Sequence, residues 1–425
     1  MISPWEVTGE VDYEKLIREF GMEPFSTLLS EIDDPMHLMR RGVIFGHRDY
    51  WRIVDAMKNK REFAVMSGFM PSGYPHFGHK MTMDEIVWHN EKGGVAFVGI
   101  ADMEAHAVRG LSWKETHKIG MEYIKAIIAL GLNENSVIYF QSANQPVKDL
   151  AFELSEEVNW SELKAIYGFN GETTLAKMFV TAVQAGDILL PQLSHYGGPK
   201  PTVVPVGADQ DPHLRLTRDM SARISIYAFE KIENGVRIRS RKGKEFLKKI
   251  ESLDFQMKFF EEHVDVFGNE WEIEDSVRNL EIKTGGYGFI PPSSTYHKFI
   301  KGLQGGKMSS SKPESFISLL DSPEQAEKKI KNALTGGRAT AEEQRRLGGE
   351  PEKCVIFEMY TIHLLSDTEL GEIERDCREG RILCGQCKKM AVERVKEFLK
   401  DLHEKMREAE SRFEAYSIIS RKDMV

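Results

Sequence analysis

Short, continuous apolar runs alternate along this chain with longer stretches in which apolar residues recur every three or four positions. Phe63-Ala64-Val65-Met66-Ser67-Gly68 is one such run, ending in glycine and leading into Pro71-Ser72-Gly73, which predicts a buried strand feeding a loop. Met81–Glu91 then carries helical spacing, and Val95–Ala101 reads as a second buried strand. Thr116–Leu130 places Ile119, Tyr123 and Ile127 on one face of an amphipathic helix. Val137–Phe140 and Pro201–Val206 add strands, and Pro212–Ile224 adds a helix. Strands separated by helices need crossover connections. The expected fold is therefore α/β, with a mostly parallel, Rossmann-type sheet over residues 61–320.

The rhythm changes at three places. Before residue 61, Asp12–Phe20 and Phe25–Ile32 show helix-like spacing and Arg40-Arg41-Gly42 marks a break, which predicts an appended N-terminal helical extension over 1–60. Between about 228 and 291 the composition turns charged and the alternation lapses, as expected of an insertion. From 321 to 425 the sequence is rich in Glu and Lys at helical spacing, ending in the long pattern Lys388–Arg412, so a helical C-terminal domain is expected.

Composition narrows the class. At 425 residues the chain should hold two or three domains, and 41% hydrophobic with 29% charged residues is the balance of a globular protein rather than a disordered one. Runs such as Val95–Ala101 are far too short to span a bilayer, and the segment Met1–Glu6 lacks a basic head and apolar core, so no membrane partner and a cytoplasmic site of action are expected. The net charge of −9 excludes a globally basic protein but not a local nucleic-acid surface. The densest cationic segment, Arg237 to Lys249, reads equally as a solvated surface or as an RNA-contacting patch.

Two motifs carry nucleotide chemistry. Pro71-Ser72-Gly73-Tyr74-Pro75-His76-Phe77-Gly78-His79 lies at a strand-to-helix junction, where free N–H groups and the helix dipole favour phosphate. His76 and His79 offer ring donors, while Gly73 and Gly78 let a nucleotide approach the backbone. The second motif, Gly306-Lys307-Met308-Ser309-Ser310-Ser311-Lys312, follows a glycine-rich stretch that could carry Lys307 over a departing pyrophosphate. In both motifs and in their order the chain resembles the class I aminoacyl-tRNA synthetases. It departs where that class often has a second lysine at the position of Ser310, which leaves Lys307 as the main loop cation.

A third string, Val206-Gly207-Ala208-Asp209-Gln210-Asp211-Pro212 continuing to Thr217-Arg218-Asp219, opens a helix after a strand. Gly207 admits a ligand, Asp209 can accept from ribose hydroxyls, and Gln210 can donate or accept. This string resembles the tryptophanyl family of archaea and eukaryotes, as do Arg40-Arg41-Gly42, Gly46-His47-Arg48-Asp49, Leu334-Thr335-Gly336-Gly337-Arg338 and Gly348-Gly349-Glu350-Pro351-Glu352-Lys353-Cys354. The resemblance implies ATP and Mg²⁺ as cofactors, L-tryptophan and tRNA(Trp) as substrates, an adenylate intermediate, a homodimer, an anticodon-binding role for the C-terminal domain, and no DNA partner. It places ATP against Gly73, His76, Gly78, His79, Gly207, Asp209, Gln210, Lys307, Met308 and Ser309, with His76, His79 and Lys307 as the catalytic groups.

Selecting tryptophan requires an acceptor for the indole N–H among apolar walls. Family members usually supply a tyrosine and a glutamine at positions that hold Met66 and Gly99 here. The helix around Val180–Leu190 resembles the bacterial tryptophanyl family, where an aspartate takes this role, so Asp187 is the expected acceptor. Gln184 and Gln210 would meet the polar end of the substrate, with Met66 and Gly68 on the wall. Tyrosyl-tRNA synthetase is the nearest alternative, since it shares the glutamine–aspartate pair. A synthetase-like RNA-binding protein without catalysis is the other.

All four cysteines, Cys354, Cys377, Cys384 and Cys387, fall in one window with 22, 6 and 2 residues between them. Four thiolates at such spacing suit Zn²⁺ or a [4Fe–4S] cluster. The spacing resembles one that holds a [4Fe–4S] cluster in some tryptophanyl-tRNA synthetases.

Overall fold

The computed structural model of the chain describes residues 12–306, Met308 and residues 312–421. Twelve strands are formed among them: β1 (Glu23–Pro24), β2 (Ile44–Arg48), β3 (Ala64–Phe69), β4 (Val95–Ile100), β5 (Val137–Phe140), β6 (Thr202–Gly207), β7 (Tyr227–Ile232), β8 (Gly235–Ser240), β9 (Gln256–Phe259), β10 (Val264–Phe267), β11 (Ser293–His297) and β12 (Ser417–Ile419). Eight of them form one sheet in the order β1-β2-β11-β6-β3-β4-β5-β12. From β11 to β12 every pairing is parallel, and β2 and β1 close the other edge antiparallel.

The apolar runs are continuous because the central strands are covered on both faces. Val65, Val98 and Ile138 pack on one side, with the helices Phe77–Glu91 and Trp113–Ala129. Ala64, Met66, Phe97 and Tyr139 pack on the other, with Val147, Ala182 and Val183 of the helices Gln145–Leu154 and Leu175–Leu189. The chain runs outward through β3, β4 and β5, then returns to lay β6 on the opposite side of β3. That reversal opens a crevice beyond the C-terminal ends of β3 and β6, the usual ligand site of a doubly wound sheet.

Two regions differ from the sequence expectation, and the expected insertion has a fold of its own. The segment before residue 61 does contain the helix Tyr13–Phe20 and a 3₁₀ segment Phe25–Glu31, but it is not only an appended helical piece. Val43-Ile44-Phe45 is apolar and partly β-branched, and β2 there completes the sheet against β11. Arg48 then reaches the Asp211 carboxylate at 2.9 Å, while Arg40 and Arg41 hold Asp367 at 2.8 and 2.7 Å. The stretch from 227 to 283 forms its own antiparallel sheet, β7-β8-β10-β9, over a core of Val236, Ile238, Val264, Val266, Ile273 and Val277. At the C-terminal end, the 28-residue helix Cys384–Ser411 lies on Trp113–Ala129, after which the chain forms β12 on the edge of the main sheet rather than ending as helix.

The cationic segment from Arg237 is tied down within that small sheet. Arg237 forms a two-pronged pair with Asp265 at 2.8 and 3.1 Å, Lys244 meets Glu261 and Glu262 at 3.1 Å, and Arg241 donates to the Tyr227 carbonyl at 3.1 Å. These contacts favour the structural reading of the segment over an RNA patch.

Candidate active site

The loop after β3 turns into the helix Phe77–Glu91, which begins four residues before the periodicity alone suggested. His76 is its N-cap. Its Nδ1 accepts from the Gly78 N–H at 3.0 Å, and His79 Nδ1 accepts from the His76 N–H at 3.3 Å. The two rings lie 3.9 Å apart. A Cβ on residue 78 would sit 2.8 Å from the His76 ring, so only glycine permits this cap. Burial pushes His76 down to about 4, with the nearby Lys329 cation adding to the effect, and burial holds His79 well below the usual range. Both imidazoles are therefore neutral near pH 7. With Nδ1 occupied as an acceptor, the proton resides on Nε2, giving each ring one donor for a phosphate oxygen.

The segment that follows the lysine loop docks beside this helix start. The Phe77 N–H donates to the Ile317 carbonyl at 3.0 Å, the Leu319 N–H to the Pro75 carbonyl at 2.8 Å, and Phe316 lies 4.6 Å from the His76 ring. Met308 Sδ is 3.6 Å from the position a Cβ on residue 78 would take. The two sequence motifs therefore meet in space. Lys307 and Ser309 lie outside the described residues.

Two adjoining clefts share Ser72 and His79. The one of about 480 Å³ also carries Gly73, Tyr74, His76, Tyr123, Asp321 and Lys329. Lys329, which no sequence motif marks out, pairs with Asp321 at 2.6 Å. The other, of about 280 Å³, is lined by Met66, Gly68, Glu104, Gln141, Gln184, Asp187, Gly207 and Gln210, among others. Gln184 and Asp187 project from one helix face, and Gln184 donates to Gln210 at 3.3 Å across the cleft. Asp209 lines neither cleft. Its Oδ1 is 2.7 Å from where a Cβ on Gly207 would stand, so it adjoins the rim at the end of β6.

The structure brings together Met66, Gly68, Gln184, Asp187 and Gln210 as expected, and it adds partners for Asp187. The Tyr139 hydroxyl donates to Asp187 Oδ1 at 2.9 Å and Gln141 Nε2 donates to Oδ2 at 2.6 Å. Burial pushes the Asp187 carboxyl up to about 7, opposed by these two hydrogen bonds, and burial pushes Glu104 to about 7 as well. The departure at residue 99 has a steric reason: a side chain there would begin 3.1 Å from the Tyr139 hydroxyl. Tyr139 and Gln141 had no motif to announce them. Their only signal was position, at and just beyond the C-terminal end of an apolar strand.

The four cysteines converge on one small cavity beside Gly336, Gln344 and Phe357. A Cβ on Gly337 would lie 2.6 Å from Cys384 Sγ, and one on Gly349 would lie 2.8 Å from Cys377 Sγ, so two glycines leave room around the thiols. Burial and the neighbouring thiols raise Cys377, and burial pushes Cys387 up to about 12. Among the described residues, no three His, Cys, Asp or Glu side chains are grouped so as to hold a metal ion, so the arrangement by itself supports neither zinc nor an iron–sulfur cluster.

Comparison with known proteins agrees with this geometry. The family model of class I tRNA synthetases (W and Y) matches residues 57–234 and 272–400, passing over most of the inserted sheet. The chain is 70% identical to the tryptophan–tRNA ligase of Archaeoglobus fulgidus over 406 residues, covering 95% of this chain and 97% of the relative. It is 45% identical to that of Methanocaldococcus jannaschii over 96% of this chain and 95% of the relative. The crystal structure of tryptophanyl-tRNA synthetase from Aeropyrum pernix superposes with a TM-score of 0.77 at 40% identity, over 99% of this chain and all of the other. The chain belongs to the class I tRNA synthetases of the tryptophan and tyrosine family.

Proposed function

We propose that this chain joins L-tryptophan to tRNA(Trp) in two steps, using Mg²⁺-ATP. The tryptophan carboxylate attacks the α-phosphate of ATP, forming tryptophanyl-adenylate and releasing pyrophosphate. A terminal ribose hydroxyl of the tRNA then takes the aminoacyl group and AMP leaves. The observation that carries this reading is the pair of adjoining clefts that meet at Ser72 and His79. One is walled by Met66 and Gly68 with Gln184, Asp187 and Gln210, and suits an aromatic amino acid. The other surrounds a helix N-terminus and two neutral imidazoles, and suits phosphates. No protein nucleophile is needed, because positioning and charge stabilisation suffice for phosphoryl chemistry. His76 and His79 donate through Nε2, Lys307 meets the leaving pyrophosphate, and Asp209 with Gly207 takes the ribose.

ATP–pyrophosphate exchange measured with each amino acid tests the proposal. Exchange with tryptophan alone supports it, and exchange driven best by tyrosine replaces it with the tyrosyl reading. Absence of exchange leaves an RNA-binding relative without catalysis.

The partners are tRNA(Trp), held by the helical C-terminal region, and a second copy of the chain. Phe152, Trp160 and Leu175, on three successive helices, are exposed apolar side chains that a homodimer would cover. Among the described residues no helix is long and apolar enough to cross a membrane, and a tRNA substrate puts the work in the cytoplasm. The four thiols line one cavity, and their sequence spacing is what supports a [4Fe–4S] cluster there. Bound there, it would supply a cross-link between Cys354 and the helices carrying the other three cysteines. Iron and acid-labile sulfide in anaerobically purified protein support that assignment, and their absence overturns it.

A further inference from the structure

We propose that Gln141, rather than Asp187, accepts the indole N–H of tryptophan, and that Asp187 acts as a positioning residue that fixes which way the Gln141 amide points. This rests on the tryptophan-activating reading above and specifies how that site selects its side chain.

The argument begins with the hydrogen-bond inventory of the cleft. Asp187 is buried at 4% exposure, and each of its carboxylate oxygens already holds a donor, from Tyr139 at 2.9 Å and Gln141 at 2.6 Å. Gln141 is 1% exposed. Of the buried polar side-chain atoms without a partner among the described residues, only Gln141 Oε1 belongs to a residue lining this cleft. A buried carbonyl oxygen left unpaired is unfavourable, and such a vacancy is usually filled by a ligand or water.

The assignment of the two ends of the amide follows from chemistry. When ionised, the Asp187 oxygen that faces Gln141 can only accept a hydrogen bond, so the amide presents its NH₂ group there, at 2.6 Å. Its carbonyl oxygen is then the buried end without a partner, on a residue that lines the cleft, and an indole N–H, which can only donate, is the complementary group. The Tyr139 hydroxyl, in turn, holds the other carboxylate oxygen and fills the space beside Gly99. Tyr139 on β5 and Gln141 in the turn that follows it thus both hold Asp187, and of the two only Gln141 lines the cleft. A phenol hydroxyl would also need a donor for its own lone pairs, and Met66 on the wall of the cleft offers none.

The test compares tryptophan with its benzothienyl analogue, in which sulfur replaces the indole N–H. A site built to bond an N–H should prefer tryptophan in exchange kcat/KM by on the order of 100-fold or more. In Gln141→Met, which keeps the length of the side chain and removes its acceptor, that preference is expected to fall to roughly ten-fold or less. Activity with the analogue should be retained, and this also shows that the variant is folded. Gln141→Asn, whose shorter amide withdraws the oxygen, is expected to behave alike and serves if the methionine variant is insoluble. Asp187→Asn should reduce the preference only in part, because its amide can face Gln141 either way, and it should do so through KM rather than kcat. A preference unchanged in the Gln141 variants, or abolished in Asp187→Asn while retained in Gln141→Met, overturns the proposal and makes Asp187 the acceptor. Failure of the wild-type protein to activate tryptophan at all would instead overturn the tryptophan reading.

Discussion

The two halves of the cleft are built on different principles. The phosphate half is local in sequence. His76, Gly78 and His79 lie within four residues, and a helix start imposes their geometry through two cap hydrogen bonds. The selecting half is assembled from distant elements, with Met66 on β3, Tyr139 and Gln141 at the end of β5, Asp187 on a helix and Gln210 after β6. A motif can encode the first half because adjacent residues carry it, whereas the second exists only after the sheet has ordered its strands. Catalysis and selectivity should therefore respond separately to mutation.

The largest expected effect belongs to the loop cation of the phosphate half. Lys307→Ala should slow adenylate formation by roughly 100- to 1,000-fold, the range seen when one group that stabilises developing charge is removed. Tryptophan and ATP affinity should change little, because the charge matters most as pyrophosphate departs. Single-turnover rates equal to the wild type would break the comparison on this side. On the other side, Tyr139→Phe removes one donor to Asp187 and should raise the KM for tryptophan by roughly five-fold, from about 1 kcal/mol for a buried hydrogen bond. The kcat and the KM for ATP should remain near wild type. A change in kcat instead of KM would show that the halves are not separable.

The same contrast explains what could be read from the sequence. The parallel sheet was legible because β3, β4, β5 and β6 are continuous apolar runs buried on both faces. The His76–His79 motif was legible because its order and context identify it. By contrast, β2 and β12 were hidden. β2 lies one strand in from one edge and β12 at the other, and the partner that joins each to the parallel strands, β11 or β5, lies more than two hundred residues away. The inserted sheet was visible only as a loss of rhythm, because its alternating apolar positions are few and its outer face is charged. Gln141 carried no local signal. Its role depends on an atom left unpaired once Asp187 has taken the other end of its amide, which no spacing rule describes. The four cysteines, whose spacing suggested a metal site, do share one cavity built from Cys354 and two later helices, but among the described residues they form no group placed to hold a metal ion.

The smallest expected effect is a pair of opposite changes in the pH dependence of stability, one from each half. His76 is held at about 4 when folded, against roughly 6.5 in an unfolded chain. Between those values the unfolded state binds the extra proton, so this group removes stability as the pH falls from 6.5 toward 4. Asp187 is the reverse, since burial raises it to about 7 when folded against about 3.8 unfolded. Over that window the folded state binds the extra proton, so Asp187 adds stability as the pH falls. Replacing each group by asparagine removes its titration while retaining a polar side chain of similar reach, and asparagine is also a good helix N-cap at position 76. The wild-type Tm measured from pH 6.5 to 5.5 therefore serves as the reference slope. His76→Asn should lose Tm less steeply than wild type, and Asp187→Asn more steeply. The differences should be roughly 1–2 °C across the interval, given at most about 1.4 kcal/mol per pH unit in a protein of this size. Slopes that change in the same direction would mean that the two halves are not poised at opposite protonation states, and a flat response in both would mean that neither group is desolvated in solution.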